Sequence, residues 1–499
     1  MTSDPQTPGV YIVEKNAFPG SAVAVETSVP VFIGYTQKAE RNGKSLLHIP
    51  TKISSLAEYV ELFGEGFHPR FKITAAAAGT KEETFLLNGK NAQIHINDNN
   101  TLYFYRAIQF FYQNGGGNCY IMPVGTYGDK PTDFEIDLID FTGNDKKPNP
   151  FTLLEKEYEP SLVILPDIIA KGIAAYPIYQ LVLAHCAKMQ SRFGIFDVAQ
   201  FNTQTPDDDI QQFRDGIGTD FLNYGAAYYP WLKTSVIQSQ EIDFTNFDDS
   251  VDLADWLPEK EARQIVANMK ALEPEALIAN RVNIHQSLRA SSASYGIILD
   301  AIRIKLNLLP PSAAIAGIYT LVDSSRGVWK APANVSLSMV NSPAISISAE
   351  QQETMNVDII GGKSINVIRP FPGLGSLVWG ARTLDGNSQD WRYINVRRTM
   401  IMIEQSLKLA CRAYVFEPND SGTWITIKSM MNNFLGNLWK QGALAGAVPE
   451  QAFDVQVGLG VTMTPADILD RLLVITVKLA MVRPAEFIVL TFQQQQQQS

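Results

Sequence analysis

A chain of 499 residues with 45% apolar and 18% charged side chains has ordinary globular composition, which excludes a disordered, collagen-like or coiled-coil protein and suggests about three domains. Its 41 Lys and Arg against 51 Asp and Glu leave a formal charge of −10, which argues against general nucleic-acid binding, since that needs a dense basic surface to neutralise phosphates. Three cysteines cannot form a disulfide framework, and a core of this size needs neither disulfide nor metal to hold it.

The first basic side chain is Lys15 and no apolar stretch of the secretory kind follows Met1. No run reaches the roughly 18–20 apolar residues that cross a bilayer. The reading is a protein made and assembled in the cytoplasm, without direct membrane insertion. Val10-Tyr11-Ile12-Val13 and Ala22-Val23-Ala24-Val25 are β-rich and are separated by the turn signal Phe18-Pro19-Gly20. Val29 to Tyr35 predicts the first buried strand. Residues 64–100 shift to Gly, Ala and Asn and read as a surface insertion. A helix over 102–112 ends at Asn114-Gly115-Gly116-Gly117, and a strand follows over 119–124. Residues 125–160 are polar and charged, a linker or excursion. Over 160–235 apolar strand-like runs alternate with helical stretches such as 175–190, which reads as α/β. Residues 240–260 read as an acidic loop, and composition breaks again at 331–353.

The last third is the most regular. Val396, Met400, Ile403, Leu407, Cys411 and Tyr414 recur at helical spacing, and Trp424, Ile427, Met431, Phe434 and Leu438 mark a second helix after Pro418-Asn419-Asp420, stopped by Gly442. Alternation of Leu473, Ile475, Val477 and Leu479 predicts a strand, and Phe487-Ile488-Val489-Leu490 opens a final one. Gln493 to Gln498 form a tail with no packing capacity.

Motifs for chemistry are absent or broken. Gly361-Gly362-Lys363-Ser364 resembles the end of a phosphate loop, but Val357 stands where its first glycine belongs, so a turn before a strand is the better reading. His185-Cys186 lies on an apolar helix, where adjacent residues point about 100° apart, so the pair reads as core. No histidine or cysteine spacing suits zinc, and Asp207-Asp208-Asp209 lacks the rest of a calcium loop. No catalytic, cofactor-binding or metal-binding residue is assigned, and no cofactor is implied.

Several phrases together resemble the contractile tail sheath family, which takes in sheaths of contractile phages, tailocin-type particles, extracellular contractile injection systems and, more distantly, type VI secretion. They include Thr7-Pro8-Gly9-Val10-Tyr11, Phe32-Ile33-Gly34-Tyr35-Thr36, Tyr228-Tyr229-Pro230-Trp231 and Arg326-Gly327-Val328-Trp329-Lys330-Ala331-Pro332. The densest are C-terminal: Val378-Trp379-Gly380-Ala381-Arg382, Trp391-Arg392-Tyr393-Ile394-Asn395-Val396-Arg397-Arg398, Phe416-Glu417-Pro418-Asn419-Asp420 and Arg483-Pro484-Ala485-Glu486-Phe487. Residues 64–100 and 125–160 lie outside the resemblance.

The resemblance implies an α/β multidomain subunit whose core combines the N-terminal segment with the C-terminal third. Its divisions would be an arm over 1–28, middle and outer domains over 29–354, a core domain over 355–486, a second arm over 487–492 and the tail over 493–499. It further implies a homo-oligomer of stacked rings forming a helical sheath, with an inner tube protein, other sheath paralogues, baseplate and cap proteins as partners. The particle would be a phage tail or phage tail-like particle assembled in a bacterial or phage-infected cell.

Physical chemistry supports this. Strand-forming segments near both termini (Val10, Tyr11, Ile12, Val13, Val23, Val25; Phe487, Ile488, Val489, Leu490) can join a neighbour's sheet, and a heterologous contact that does not close builds a helical filament. Residues 355–499 carry 13 basic and 11 acidic side chains, 13 − 11 = +2, against −12 for the remainder. Arg397 and Lys408, eleven positions apart, fall on one helical line about 100° from the apolar stripe. With Arg398 and Arg412 they form the candidate contact to an inner tube or a neighbour. The alternatives are an enzyme with an unrecognised site in the middle α/β domain, and a minor sheath paralogue at the baseplate end.

Overall fold

Seven consecutive buried residues, Pro30–Thr36, form a central strand of a nine-stranded sheet. The computed structural model describes residues 22–487 apart from 78, 81–82, 97–100, 129–133 and 201–204. The sheet runs Val335–Ser336, Gly375–Val378, Ile365–Phe371, Gly225–Tyr229, Phe193–Asp197, Leu162–Ile164, Pro30–Thr36, Cys119–Thr126, Thr51–Ile53. From Ile365–Phe371 to Cys119–Thr126 the neighbours are parallel, with Val31 opposite both Tyr120 and Val163 and Ala227 opposite Ile365. The outer pairings are antiparallel. Parallel strands are covered on both faces and so read as continuous apolar runs, as these do. Helices Phe104–Gln113, Tyr176–Met189 and Ser312–Arg326 supply much of the cover, and Gly317 lets the third approach the first closely: a Cβ there would lie 2.7 Å from the Phe111 carbonyl oxygen.

Residues 64–100, expected as an insertion, form a three-stranded antiparallel sheet, Phe71–Ala75, Lys90–Ile96 and Phe85–Leu87. It shares a core with helices from 253–306, through Phe71, Ile94, Phe244, Leu288, Tyr295 and Ile302. Asn88 and Gly89, both at positive φ, make the two-residue turn between two of its strands. Asn-Gly in that position is the strongest short hairpin signal in a sequence. Residues 240–260 hold short helical turns rather than a plain loop, and helices make up most of 260–326, with a short strand at Leu308–Leu309.

The chain divides into two compact units, with crossings at Val25/Glu26 and Arg398/Thr399. The strand Ile365–Phe371 pairs with Gly225–Tyr229, so residues 355–398 belong with the large unit, and the division expected at 355 falls at 398. In the other unit the described residues are 22–25 and 399–487. Its body is the helix Ser421–Lys440, N-capped by the Asp420 carboxylate on Thr423 N, packed on an antiparallel pair, Phe453–Val457 with Ile475–Leu479. Gly442, at φ +84°, follows the helix end as expected.

Ile168–Met189 is, by length and composition, long and apolar enough to cross a membrane, contrary to the sequence reading. Its first part is 3₁₀ and breaks at Gly172, and Ile178, Tyr179, Val182 and Leu183 are buried in the large unit, so it is a core element here.

Candidate assembly surfaces

The helix Ile394–Cys411 carries the four expected contact residues or leads directly to them. Its apolar stripe is as predicted, with Val396, Ile403 and Leu407 buried and Met400 half-buried. The arginines correct the reading. Arg397 is 4% exposed and Arg398 3%, so neither can meet a partner. The Arg397 guanidinium lies between the rings of Tyr224 and Trp391, 4.2 and 4.6 Å from their centroids, and donates to the Tyr224 hydroxyl at 2.6 Å. Arg398 makes a two-pronged pair with Asp323, itself buried, donates to the Thr27 carbonyl at 2.9 Å and stacks on Tyr319 at 4.4 Å. The Thr27 hydroxyl donates to the same Asp323 carboxylate at 2.6 Å. Helical spacing gives the direction of a side chain, but not what other segments pack there. At the first turn, tyrosines and a tryptophan from other elements cover the side that the spacing marks as polar.

One node therefore fixes residues 27, 323 and 398, beside both chain crossings. A buried, fully hydrogen-bonded ion pair of this kind locates segments and is costly to break from one side. Lys408 and Arg412 are exposed.

The two-stranded pair in the smaller unit has Val455 buried, while Ile475, Val477 and Leu479 alternate with exposed Val474, Thr476 and Lys478. Among the described residues this sheet has two strands. A two-stranded ribbon is marginal alone and offers edges for strand addition. Of the expected arm residues, Val23 and Phe487 are exposed and lie outside any strand, and the Val25 amide donates to Ser406 Oγ at 3.0 Å. Val10, Tyr11, Ile12, Val13, Ile488, Val489 and Leu490 lie outside the described residues.

The loci that the sequence or the topology singles out for chemistry are engaged by protein groups. In open α/β sheets ligands bind where the strand order reverses, beyond the carboxyl ends of the strands. Here that crevice holds Asp167, which accepts from the amides of Tyr35, Tyr103 and Phe104 at 2.7–2.9 Å. Burial pushes its pKa up to about 7 and the three amides pull the other way. The Phe104 ring also occupies the space over Gly34, where a Cβ would come within 2.3 Å of it. Lys363 is buried and its ammonium donates to the Arg214 carbonyl, so it is turned inward rather than toward a phosphate. Asp207, Asp208 and Asp209 form the first turn of the helix Pro206–Gly216, capped by Thr205, and Asp209 accepts from the Tyr229 hydroxyl. His185 and Cys186 are core, and Arg192 donates to the His185 ring. Among the described residues no group of three or more His, Cys, Asp or Glu could hold a metal ion.

Comparison with known proteins gives three findings. Residues 387–495 match the family described as phage tail sheath C-terminal domain. The chain is 23% identical over 219 residues to the tail sheath protein of Vibrio phage KVP40, across 42% of this chain and 31% of that protein, so the match spans about a third of that relative's length. Among the solved structures that match nearly end to end are two contracted sheaths. The anti-feeding prophage helical sheath in its contracted state is 29% identical with a TM-score of 0.60, over 99% of this chain and 100% of that one. The sheath complex of an extracellular contractile injection system, PVC, in the contracted state is 27% identical with a TM-score of 0.62, over 99% of both chains.

Proposed function

We propose that this chain, a member of the contractile tail sheath family, is a structural subunit that polymerises helically around an inner tube and contracts to drive that tube through a target envelope. The full-length likeness to sheath subunits of two contractile particles carries this reading. The two-stranded ribbon at Phe453–Val457 and Ile475–Leu479 supports it, because its edges suit strands donated by other copies. Copies of this chain are the first partners. An inner tube, baseplate and cap proteins and sheath paralogues follow from the family. Lys408 and Arg412, exposed at one end of their helix, are the residues left to meet an acidic tube or neighbour. Assembly takes place in the cytoplasm of a bacterial or phage-infected cell, as part of a phage tail or tail-like particle. The enzyme alternative is not favoured, since the family model and the relatives that the chain resembles are sheath proteins. Contraction would draw on rearranged contacts between copies, a bistable packing held until triggered.

The test is negative-stain microscopy of purified protein, followed by co-sedimentation with its tube protein at two ionic strengths. Long hollow polymers that retain the tube at low salt are the expected result. Soluble monomers under all conditions would overturn it.

A further inference from the structure

The Asp358–Ser364 turn, which looks like a truncated phosphate loop in sequence, is a rigid display for two isoleucines. Asp358, 9% exposed, accepts from the amides of Ile360, Gly361 and Lys363 at 3.1–3.2 Å and lies 3.6 Å from Arg214 Nε. Its own carbonyl accepts from Gly362 N at 3.1 Å and from Asn387 Nδ2 at 3.2 Å, and Gly386 N donates to the Gly362 carbonyl at 2.8 Å. Gly362 sits at φ +71°, and a Cβ on Gly361 would come within 2.7 Å of the Asp358 carboxylate. Both charged residues of the turn point inward. What remains outside is Ile359, 89% exposed, and Ile360, 98% exposed, beside a partly exposed Val357.

We infer that this turn is a preformed knob that seats on a second copy of the chain. The inference rests on the sheath reading. Its face is apolar, so its partner surface is apolar and not a polyanion. The turn is held by its own hydrogen bonds, so little ordering entropy is lost on docking, which is what a strong contact point requires. In a helical polymer of one chain the neighbours are copies, and each heterologous contact pairs a protruding patch with a different patch on the next subunit. Contiguous exposed apolar side chains on a rigid frame mark such a patch.

The experiment uses the full chain carrying Ile359→Ser and Ile360→Ser together, and separately a photo-cross-linking p-benzoyl-phenylalanine at position 360. The double variant should melt within about 2 °C of wild type, because exposed side chains contribute little to the fold. Its threshold concentration for polymerisation should rise about tenfold or more, as for loss of a small apolar hot spot. The cross-linker should give a band of twice the subunit mass in assembled material. A double variant that polymerises at the wild-type threshold, or a cross-link to a different protein, would overturn the inference while leaving the sheath reading intact. Wild-type protein that never polymerises would sink both.

Discussion

At the residue scale, two adjacent arginines that look like a surface feature act as anchors. Removing one partner of a buried pair leaves an uncompensated charge, at a cost of about 3–5 kcal/mol. Arg398→Met or Asp323→Asn should therefore lower the unfolding midpoint of unassembled subunits strongly, whereas Lys408→Met should change stability by less than about 0.5 kcal/mol. Chemical denaturation followed by tryptophan fluorescence measures both, and equal effects would put Arg398 back on the surface. The sequence spacing placed the Val396, Ile403 and Leu407 stripe correctly. It missed the burial of Arg397 and Arg398 because Tyr224, Tyr319, Asp323 and Thr27 come from elsewhere in the chain. His185 gives a second test. Burial, and then the nearby Arg192 guanidinium, lower its pKa from 6.5 to about 3. Between those values the unfolded chain takes up a proton that the folded chain refuses, so this contribution to stability is whole above pH 6.5 and is lost as pH falls. His185→Gln keeps an acceptor for Arg192 and removes the titration. Its melting temperature should fall less steeply than wild type from pH 6.5 to 4.5, and parallel curves would contradict the assignment.

At the element scale, the legible parts are those whose residues see one environment. Continuous apolar runs gave the parallel strands Pro30–Thr36, Leu162–Ile164, Phe193–Asp197 and Gly225–Tyr229, and regular stripes gave the helices Ile394–Cys411 and Ser421–Lys440. The helices Lys260–Lys270 and Arg281–Ser291 escaped notice because each buries so little, Ala262 and Val266 in one and Leu288 in the other. The sheet over 71–96 was hidden by its polar composition, although Asn88-Gly89 announces its hairpin. Asp420 is a clear sequence signal with a measurable value. Its side chain accepts from Thr423 N at 3.0 Å, and loss of an N-cap costs about 1 kcal/mol. Asp420→Ala should lower stability by that amount and Asp420→Asn by much less. Equal losses would mean that charge, and not the cap hydrogen bond, holds the helix start.

At the scale of the whole molecule, family-like phrases along the chain made the sheath assignment legible, while the division between units was not. The resemblance set a boundary at 355, but strand pairing carries the large unit on to Arg398. Among the described residues the smaller unit has a ribbon of two strands, and neither Val23 nor Phe487 lies in a strand. If the terminal segments complete a neighbour's sheet, deleting residues 1–21 should leave the subunit folded and unable to polymerise. This deletion spares Val25, whose amide bonds Ser406, and Thr27, which bonds Asp323. Removing Gln493 to Gln498 should change nothing, since a polar homopolymer buries no apolar area. Cutting back to remove Phe487 onward should abolish polymers as the N-terminal deletion does. Each truncation is scored by melting temperature, to show that the subunit is folded, and by polymer length in negative stain. Mixing the two defective subunits adds a stricter test. One lacks the N-terminal segment and the other the C-terminal segment, so each can donate only the end it keeps. Mixtures should give shorter polymers than wild type, because a ribbon receives both segments only where one subunit of each kind flanks it. Sheaths of normal length from either truncated protein alone would show that the termini do not join the copies.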